Sequence, residues 1–144
     1  MTLQEWTITF VKNKDVIKQQ LTSVEEKSGV VHTTYKDGKK QEYFMYEKDD
    51  DLGKILTALK EAEKDVLLSI HVVCYNTTKN LDVLLKNWQT FAAYQRLTFY
   101  FANPKSLTDT KWIINPWLHN RVSDAKNLAN GLKSMASMVE EWKG

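Results

Sequence analysis

The segment Asp109–Asp124 holds the residues whose types and spacing best suit chemistry. It lies between a predicted strand and a predicted helix start, and loops that leave the carboxyl ends of strands line the binding crevice of α/β sheets. A helix start with basic side chains beside it could hold an anion. The candidate catalytic residues are Asp109, Lys111 and His119. The candidate ligand-binding residues are Asn115, Trp117, His119, Asn120 and Arg121.

An enzyme acting on a phosphate-containing substrate is one hypothesis for this segment. Asp109-Thr110-Lys111 fits half of a metal-dependent nuclease signature, in which Asp109 would bind a divalent metal and Lys111 would orient water or phosphate. His119 would then be the general acid or base, and Arg121 would clamp the anion. The signature also requires another acid on a neighbouring strand, so this metal-dependent phosphodiesterase or nuclease-like function is the alternative hypothesis.

A purely structural role for the same segment remains open. Asn115-Pro116 would form a turn, and Trp117 and Leu118 would fill the core. His119 and Arg121 would bond loop carbonyls, because buried backbone groups in loops need such partners. Trp117 would be buried if the segment is structural and exposed if the segment binds a ligand.

The sequence contains no other strong catalytic or metal-binding signature. The five glycines are dispersed, so no glycine-rich phosphate loop occurs. The single cysteine, Cys74, lies inside an apolar run, and the three histidines are far apart in sequence. The acidic run Asp49–Asp51 is explained by helix capping and the helix dipole. We therefore predict no metal site and no cofactor.

The composition indicates an ordinary globular protein of one domain, residues 1–144. Hydrophobic residues make up 42% of the chain, charged residues 26%, and the net charge is +2. This balance gives no strong signal for nucleic acid, and no apolar run is long enough to span a membrane. With one cysteine and no signal-peptide pattern, we predict a cytoplasmic location.

The rest of the chain is organised around the stretch from Val66 to Phe101. Val66–Cys74 is almost unbroken apolar, which is typical of a strand buried on both faces. Asn80–Tyr94 has the apolar spacing of a one-sided helix, and Leu97–Phe101 is a second apolar, β-rich run. A strand, a covering helix and a second strand predict a parallel, right-handed βαβ crossover.

The first half contains a strand pattern, a helix pattern and a hairpin signal. Glu5–Val11 alternates and predicts a half-buried strand. Asn13 would cap a helix over Lys14–Lys27, with Gly29 as its stop, although part of this region also fits a strand. Asp37-Gly38 is a strong turn signal, and it predicts a hairpin between the strands Val30–Tyr35 and Gln41–Glu47.

The predicted element order is β-α-β-β-α-β-α-β-β-α, a mixed α/β fold with helices covering a mixed sheet and the parallel βαβ crossover at its centre. The remaining elements are a helix starting at Asp49–Asp51, a short strand at Lys111–Ile114, and a last helix capped by Ser123 or Asp124.

The leading functional hypothesis is a small intracellular binding or protein-interaction domain without catalytic activity. The absence of strong catalytic signatures motivates it, as does an aromatic content that could supply an interface. The partner would be another protein or a second copy of the chain. Whether the protein is an enzyme stays open, because the phosphate-site hypothesis uses the same loop.

Overall fold

The computed structural model describes all 144 residues, and it confirms a mixed α/β fold built on one six-stranded mixed sheet. The strands are β1 (Leu21–Lys27), β2 (Val30–Tyr35), β3 (Lys40–Met45), β4 (Leu68–Tyr75), β5 (Leu97–Ala102) and β6 (Lys111–Ile114). The helices are α1 (Leu3–Lys14), α2 (Asp50–Ala62), α3 (Thr78–Lys86), α4 (Trp88–Ala92), α5 (Pro116–Val122) and α6 (Leu128–Ala136). None of them is both long enough and apolar enough to cross a membrane.

The strands are hydrogen-bonded in chain order, from β1 at one edge of the sheet to β6 at the other. β1, β2 and β3 form an antiparallel meander, and β3, β4 and β5 are parallel. β6 returns antiparallel to β5. The predicted parallel crossover from β4 to β5 is therefore confirmed.

The chain divides into two compact units, Met1–Val73 and Cys74–Gly144. The first holds α1, the meander and α2, and the second holds α3 to α6 with β5 and β6. β4 contributes its first six residues to the first unit and its last two to the second. The single domain expected from chain length stays a prediction.

The predicted strand Glu5–Val11 is wrong, because this region belongs to α1. Thr2 caps the helix by accepting a hydrogen bond from the Glu5 backbone N–H at 3.1 Å. Trp6 and Phe10, one helical turn apart, stack with ring centroids 5.3 Å apart. The sequence Thr2–Glu5 matches a capping-box pattern, and that local signal outweighs the alternation that suggested a strand.

The predicted helix Lys14–Lys27 is also wrong, since α1 ends at its start and β1 occupies its second half. The Asp15 carboxylate ends the turn after α1 by accepting the backbone N–H groups of Gln20 and Leu21, each at 2.9 Å. Ser28 and Gly29 then have φ of 54° and 78°. Two consecutive positive φ angles are typical of a tight β-hairpin, so Gly29 turns β1 into β2 and does not stop a helix.

The hairpin predicted at Asp37-Gly38 is confirmed, with β2 and β3 on either side of it. Gly38 has a φ of 87°, and the Asp37 carboxylate accepts the Lys39 backbone N–H at 3.0 Å. The helix expected to begin at the three aspartates is α2. The turn residues determine the hairpin locally, which is why that prediction succeeds, whereas Asp49 precedes α2 without a side-chain capping bond.

The strand predicted at Val66–Cys74 begins two residues later. Val66 and Leu67 are 76% and 45% exposed and precede β4. The Asp65 carboxylate accepts the Leu67 backbone N–H at 3.0 Å, so these residues form a turn. From Ile70 to Cys74 the strand is fully buried, as its apolar run predicts.

The helix predicted over Asn80–Tyr94 consists of two helices, α3 and α4. Asn87 interrupts it with φ −107° and ψ 17°, and its side-chain amide donates to the Val83 carbonyl at 2.8 Å. Asparagine competes in this way for backbone groups that a continuous helix would use. The apolar stripe is preserved across the break, since Leu84 and Trp88 are both buried.

The last helix, α6, is preceded by a single 3₁₀ turn, Ala125–Asn127. Asp124, one of the two residues predicted to cap the last helix, caps this turn instead, and Asn127 precedes α6 without a side-chain capping bond. α6 ends at Ala136, and beyond it Met138 is 68% exposed whereas Val139 is buried. The chain beyond α6 is therefore held by contacts other than those of a helix.

Candidate functional site

Most of the segment Asp109–Asp124 is regular structure. Asn115 and Pro116, which would form a turn under the structural reading, start the helix α5. The Asn115 side-chain oxygen accepts the Leu118 backbone N–H at 2.9 Å, and Pro116 occupies the first turn. Both are preferred residues at these positions. Of the candidate residues, Trp117, His119, Asn120 and Arg121 all lie on this helix.

The face of α5 that contacts Trp88 carries the polar candidates, although Asn120 itself stays exposed. Asn120 accepts a hydrogen bond from the indole N–H of Trp88 at 2.9 Å. The ring of His119 stands edge-on to the same indole, with centroids 5.7 Å apart. The Asn115 amide donates to the Gln95 carbonyl at 3.1 Å. Three of the predicted ligand-binding residues thus contact other parts of their own unit.

The outer face of α5, defined by Trp117, Leu118, Arg121 and Val122, carries the apolar residues. The Arg121 guanidinium lies over the Trp117 ring, 3.9 Å from its centroid. Leu118 and Val122 are 55% and 77% exposed. Trp117 and Leu118 were expected to fill the core under the structural reading, but Leu118 projects to solvent and Trp117 is only half-buried.

The candidate catalytic residues are distributed over different elements. Asp109 lies in the exposed loop before β6, and Lys111 is the first residue of that strand. His119 contacts Trp88, whereas Arg121 contacts Trp117, so the structure does not bring these two side chains together. No group of three or more His, Cys, Asp and Glu side chains is arranged to hold a metal ion. The phosphate-site hypothesis stays a prediction.

The first unit contains a polar cluster around Gln41 that the sequence did not indicate. The side-chain oxygen of Gln41 accepts the hydroxyl protons of Tyr43, at 2.7 Å, and Tyr35, at 3.0 Å. His71, on the neighbouring strand, stacks on Tyr43 with centroids 4.5 Å apart, and its Nε2 pairs with the Ser69 hydroxyl at 2.8 Å. Gln41 and Tyr43 are two residues apart on β3, so their side chains share a face.

Burial keeps the imidazole in this cluster neutral. It lowers the pKa of His71 from 6.5 to about 3, with a smaller contribution from the positive charge of Lys14. Burial also raises the pKa of the Tyr35 hydroxyl. At neutral pH the cluster therefore consists of uncharged donors and acceptors.

A cavity of about 190 Å³ lies beside this cluster. Lys14 and Lys18, from the end of α1 and the turn after it, line it together with Lys39 from the hairpin. Tyr35 and Gln41 form part of its wall. We call it the lysine cavity. No sequence pattern joins these residues, because Lys39 lies more than 20 positions from Lys14 and Lys18.

The second unit has a polar cluster of its own, centred on Asn76. Its side-chain amide donates to the carbonyls of Val139, Ala136 and Glu140 at 3.0, 3.1 and 3.3 Å. Its side-chain oxygen accepts the indole N–H of Trp112 at 2.8 Å. These bonds hold the chain beyond α6 in place without a helix.

Trp142 completes the attachment of this segment. Its backbone N–H donates to the Asn76 carbonyl at 2.9 Å, and its ring stacks on Tyr75 with centroids 4.1 Å apart. A second buried amide, Asn103, donates to the Glu140 carbonyl at 2.9 Å. The segment is thereby fixed beside the carboxyl ends of β4 and β5, where α/β proteins commonly bind ligands.

Comparison with models of protein families, with curated proteins and with solved structures finds no match for this chain. The geometry of the two units is therefore the basis for any functional proposal.

Proposed function

We propose that this protein is a binding domain without catalytic activity, and that it docks on a partner protein through the outer face of α5. The observation that carries this proposal is the pair of exposed apolar side chains on one face of that helix. Its amide and imidazole side chains, Asn120 and His119, contact Trp88, while Leu118 and Val122 face solvent. A surface helix normally has the opposite arrangement, and exposed apolar side chains grouped on one face are typical of interaction sites.

The spacing of the outer-face residues supports a continuous contact surface. Trp117 and Arg121 are one helical turn apart, and so are Leu118 and Val122, which places the two pairs side by side. Tryptophan and arginine are the residues most enriched among those that dominate binding energies. A partner could therefore bury both pairs at once.

The stacking of Arg121 on Trp117 indicates the chemistry of the partner. A guanidinium that lies over an aromatic ring can still direct N–H groups outward, where they match a carboxylate. The partner is expected to present apolar side chains next to an aspartate or glutamate. An intracellular location for this interaction stays a prediction.

The test compares capture of proteins from a lysate of the native cells by three immobilised forms of the protein. The test variant carries Leu118→Asp and Val122→Asp. The matched control carries Val16→Asp and Ile17→Asp, which also change two exposed neighbouring apolar residues. We expect the wild type and the control to retain the same protein saturably, and the α5 variant to lose at least roughly 90% of it, as for a central interface residue.

Three results would contradict the proposal: no saturable partner, equal retention by all three forms, or loss with the control variant. Sedimentation of the purified protein tests whether the partner is a second copy of the chain. A dimer that the α5 substitutions dissociate would overturn docking on a different protein.

A further inference from the structure

We propose that the lysine cavity of the first unit is a binding site for a small phosphate-bearing ligand, either inorganic phosphate or a phosphate monoester. The site lies in a different unit from α5, and its ligand is of a different class from the protein partner proposed above. It therefore stands independently of that function. Four groups carry the inference: the ammonium groups of Lys14, Lys18 and Lys39, and the side-chain amide of Gln41.

The three lysines have no acidic partner. The ion pairs of this unit join Lys27 to Glu25, Lys40 to Asp65, Lys64 to Glu61, and His32 to Glu42, and none includes a lysine of the cavity. The one aromatic contact among them is Lys14 over the ring of Phe10, 5.9 Å from its centroid. All three lysines are exposed and line the same cavity, so an anion bound there could pair with more than one positive charge.

Two aspartates also line the cavity, but hydrogen bonds to the backbone engage them. Both oxygens of Asp15 accept backbone N–H groups, those of Gln20 and Leu21. One oxygen of Asp37 accepts the N–H of Lys39. The carboxylates thus complete two turns, and the lysines outnumber them around the cavity. The local field favours an anion.

The amide of Gln41 adds a donor with a fixed orientation. Its oxygen is held by the hydroxyl groups of Tyr35 and Tyr43, which directs that end of the amide into the cluster. Its nitrogen has no hydrogen-bond partner in the protein, although Gln41 is half-buried and lines the cavity. An amide nitrogen offers two N–H donors and no acceptor, so it fits an anionic oxygen.

The size of the cavity agrees with such a ligand. Its volume, about 190 Å³, is several times the roughly 30 Å³ that a water molecule occupies in the liquid. It is smaller than the roughly 300–1,000 Å³ of pockets that enclose drug-sized ligands. Several separate ammonium groups favour a dianion over a monoanion, which selects phosphate over a simple carboxylate.

The experiment measures binding to the full chain by isothermal titration calorimetry at constant ionic strength. The probes are inorganic phosphate, glycerol 3-phosphate and acetate. We expect saturable binding of one or both phosphates and none of acetate. Tighter binding of glycerol 3-phosphate would identify a phosphate monoester as the ligand, and tighter binding of inorganic phosphate would identify the free ion.

Two variants locate the site. Gln41→Glu keeps an oxygen for the two tyrosines but replaces the free amide nitrogen with an anionic oxygen, and we expect it to abolish binding. Lys39→Ala, in the exposed hairpin, should weaken binding about tenfold, since a charge-assisted hydrogen bond is lost. Lys79→Ala, an exposed lysine of the second unit, is the matched control and should leave the affinity unchanged.

The absence of saturable phosphate binding would overturn the proposal. So would an equal loss with Lys39→Ala and Lys79→Ala, because the affinity would then reflect overall charge only. If Gln41→Glu does not fold, Lys39→Ala against Lys79→Ala still decides the matter.

Discussion

The two units each hold a side-chain amide beside β4, but Asn76 is buried and Gln41 is half-buried, and the two also differ in their hydrogen bonds. Asn76, in the second unit, uses both ends of its amide within the chain: the nitrogen binds three carbonyls and the oxygen binds the Trp112 indole. Gln41, in the first unit, uses only its oxygen, and the residue lines the lysine cavity.

This difference separates a structural amide from a candidate binding group. Burying an amide without partners is costly, so a fully bonded one such as Asn76 is explained by the fold alone. The nitrogen of Gln41 has no partner in the protein and reaches solvent, and the residue lines its cavity together with lysines that make no ion pair. The comparison therefore predicts that changes near Asn76 affect stability, whereas changes around the lysine cavity affect ligand binding.

The largest expected effect concerns β4, the strand that both amides adjoin. Ile70 is fully buried on it. Replacing Ile70 with Ala should lower the free energy of unfolding by about 2–5 kcal/mol, because burial is lost and a cavity remains. Urea titration measures this, with Lys79→Ala as the control at about 0.5 kcal/mol or less. Equal, small losses at both positions would mean that β4 is not the core on which either cluster depends.

The next effect tests the structural amide itself. Asn76→Ala should lower the free energy of unfolding by about 3 kcal/mol, since it leaves the Trp112 indole N–H and several carbonyls without partners. Asn127→Ala is the matched control and should cost about 0.5 kcal/mol or less, because Asn127 is exposed. Both values come from denaturant titrations. A loss below about 1 kcal/mol at Asn76 would remove the contrast between the two amides.

The pH dependence of stability tests the burial of the Gln41 cluster. The pKa of His71 is lowered from 6.5 to about 3 on folding, so the unfolded chain takes up the proton first as the pH falls. Between pH 6.5 and pH 3 the free energy of unfolding falls by up to about 1.4 kcal/mol for each unit by which the pH drops. Above pH 6.5 this loss is absent.

Urea titrations at pH 7 and pH 5 measure this effect in the wild type and in His71→Gln. From pH 7 to pH 5 the wild type should lose about 2 kcal/mol more than the variant, which lacks the imidazole. The carboxylates titrate in both proteins, so the difference isolates His71. Identical losses would show that the imidazole is accessible to water and that the cluster is open.

The smallest expected effect on stability comes from a substitution in the lysine cavity. Lys39→Ala should change the free energy of unfolding by about 0.5 kcal/mol or less, because Lys39 is exposed and makes no ion pair. A thermal unfolding series with and without phosphate checks this. In the absence of phosphate the variant and the wild type should unfold together. A clear destabilisation there would give Lys39 a structural role and remove the distinction between the two regions.

Much of the fold was readable from local signals. Asp37-Gly38 specified its hairpin, Asp49–Asp51 the start of α2, and the apolar runs the strands β4 and β5. The N-terminal region was misread because Trp6, Ile8 and Phe10 satisfy a period of two. The cap at Thr2 favours a helix there, and contacts of α1 with β2 and β3 bury one of its faces.

The candidate site was readable only in part. The sequence identified the polar residues of Asp109–Asp124. It did not show which face of α5 packs against the rest of its unit, because a helix of two turns can present either face to its neighbours. The buried indole N–H of Trp88 requires an acceptor, and Asn120 supplies one. This contact orients α5 so that Leu118 and Val122 face solvent.

The sequence by itself determined the turns, the caps and the apolar strands, since these depend on residues close together in the chain. Only the tertiary structure decided which polar groups meet. Gln41 and the lysines at positions 14 and 18 are separated by more than 20 residues, and no periodicity relates them. Their convergence follows from α1 packing against β2 and β3, and long-range packing of this kind leaves no mark on local sequence patterns.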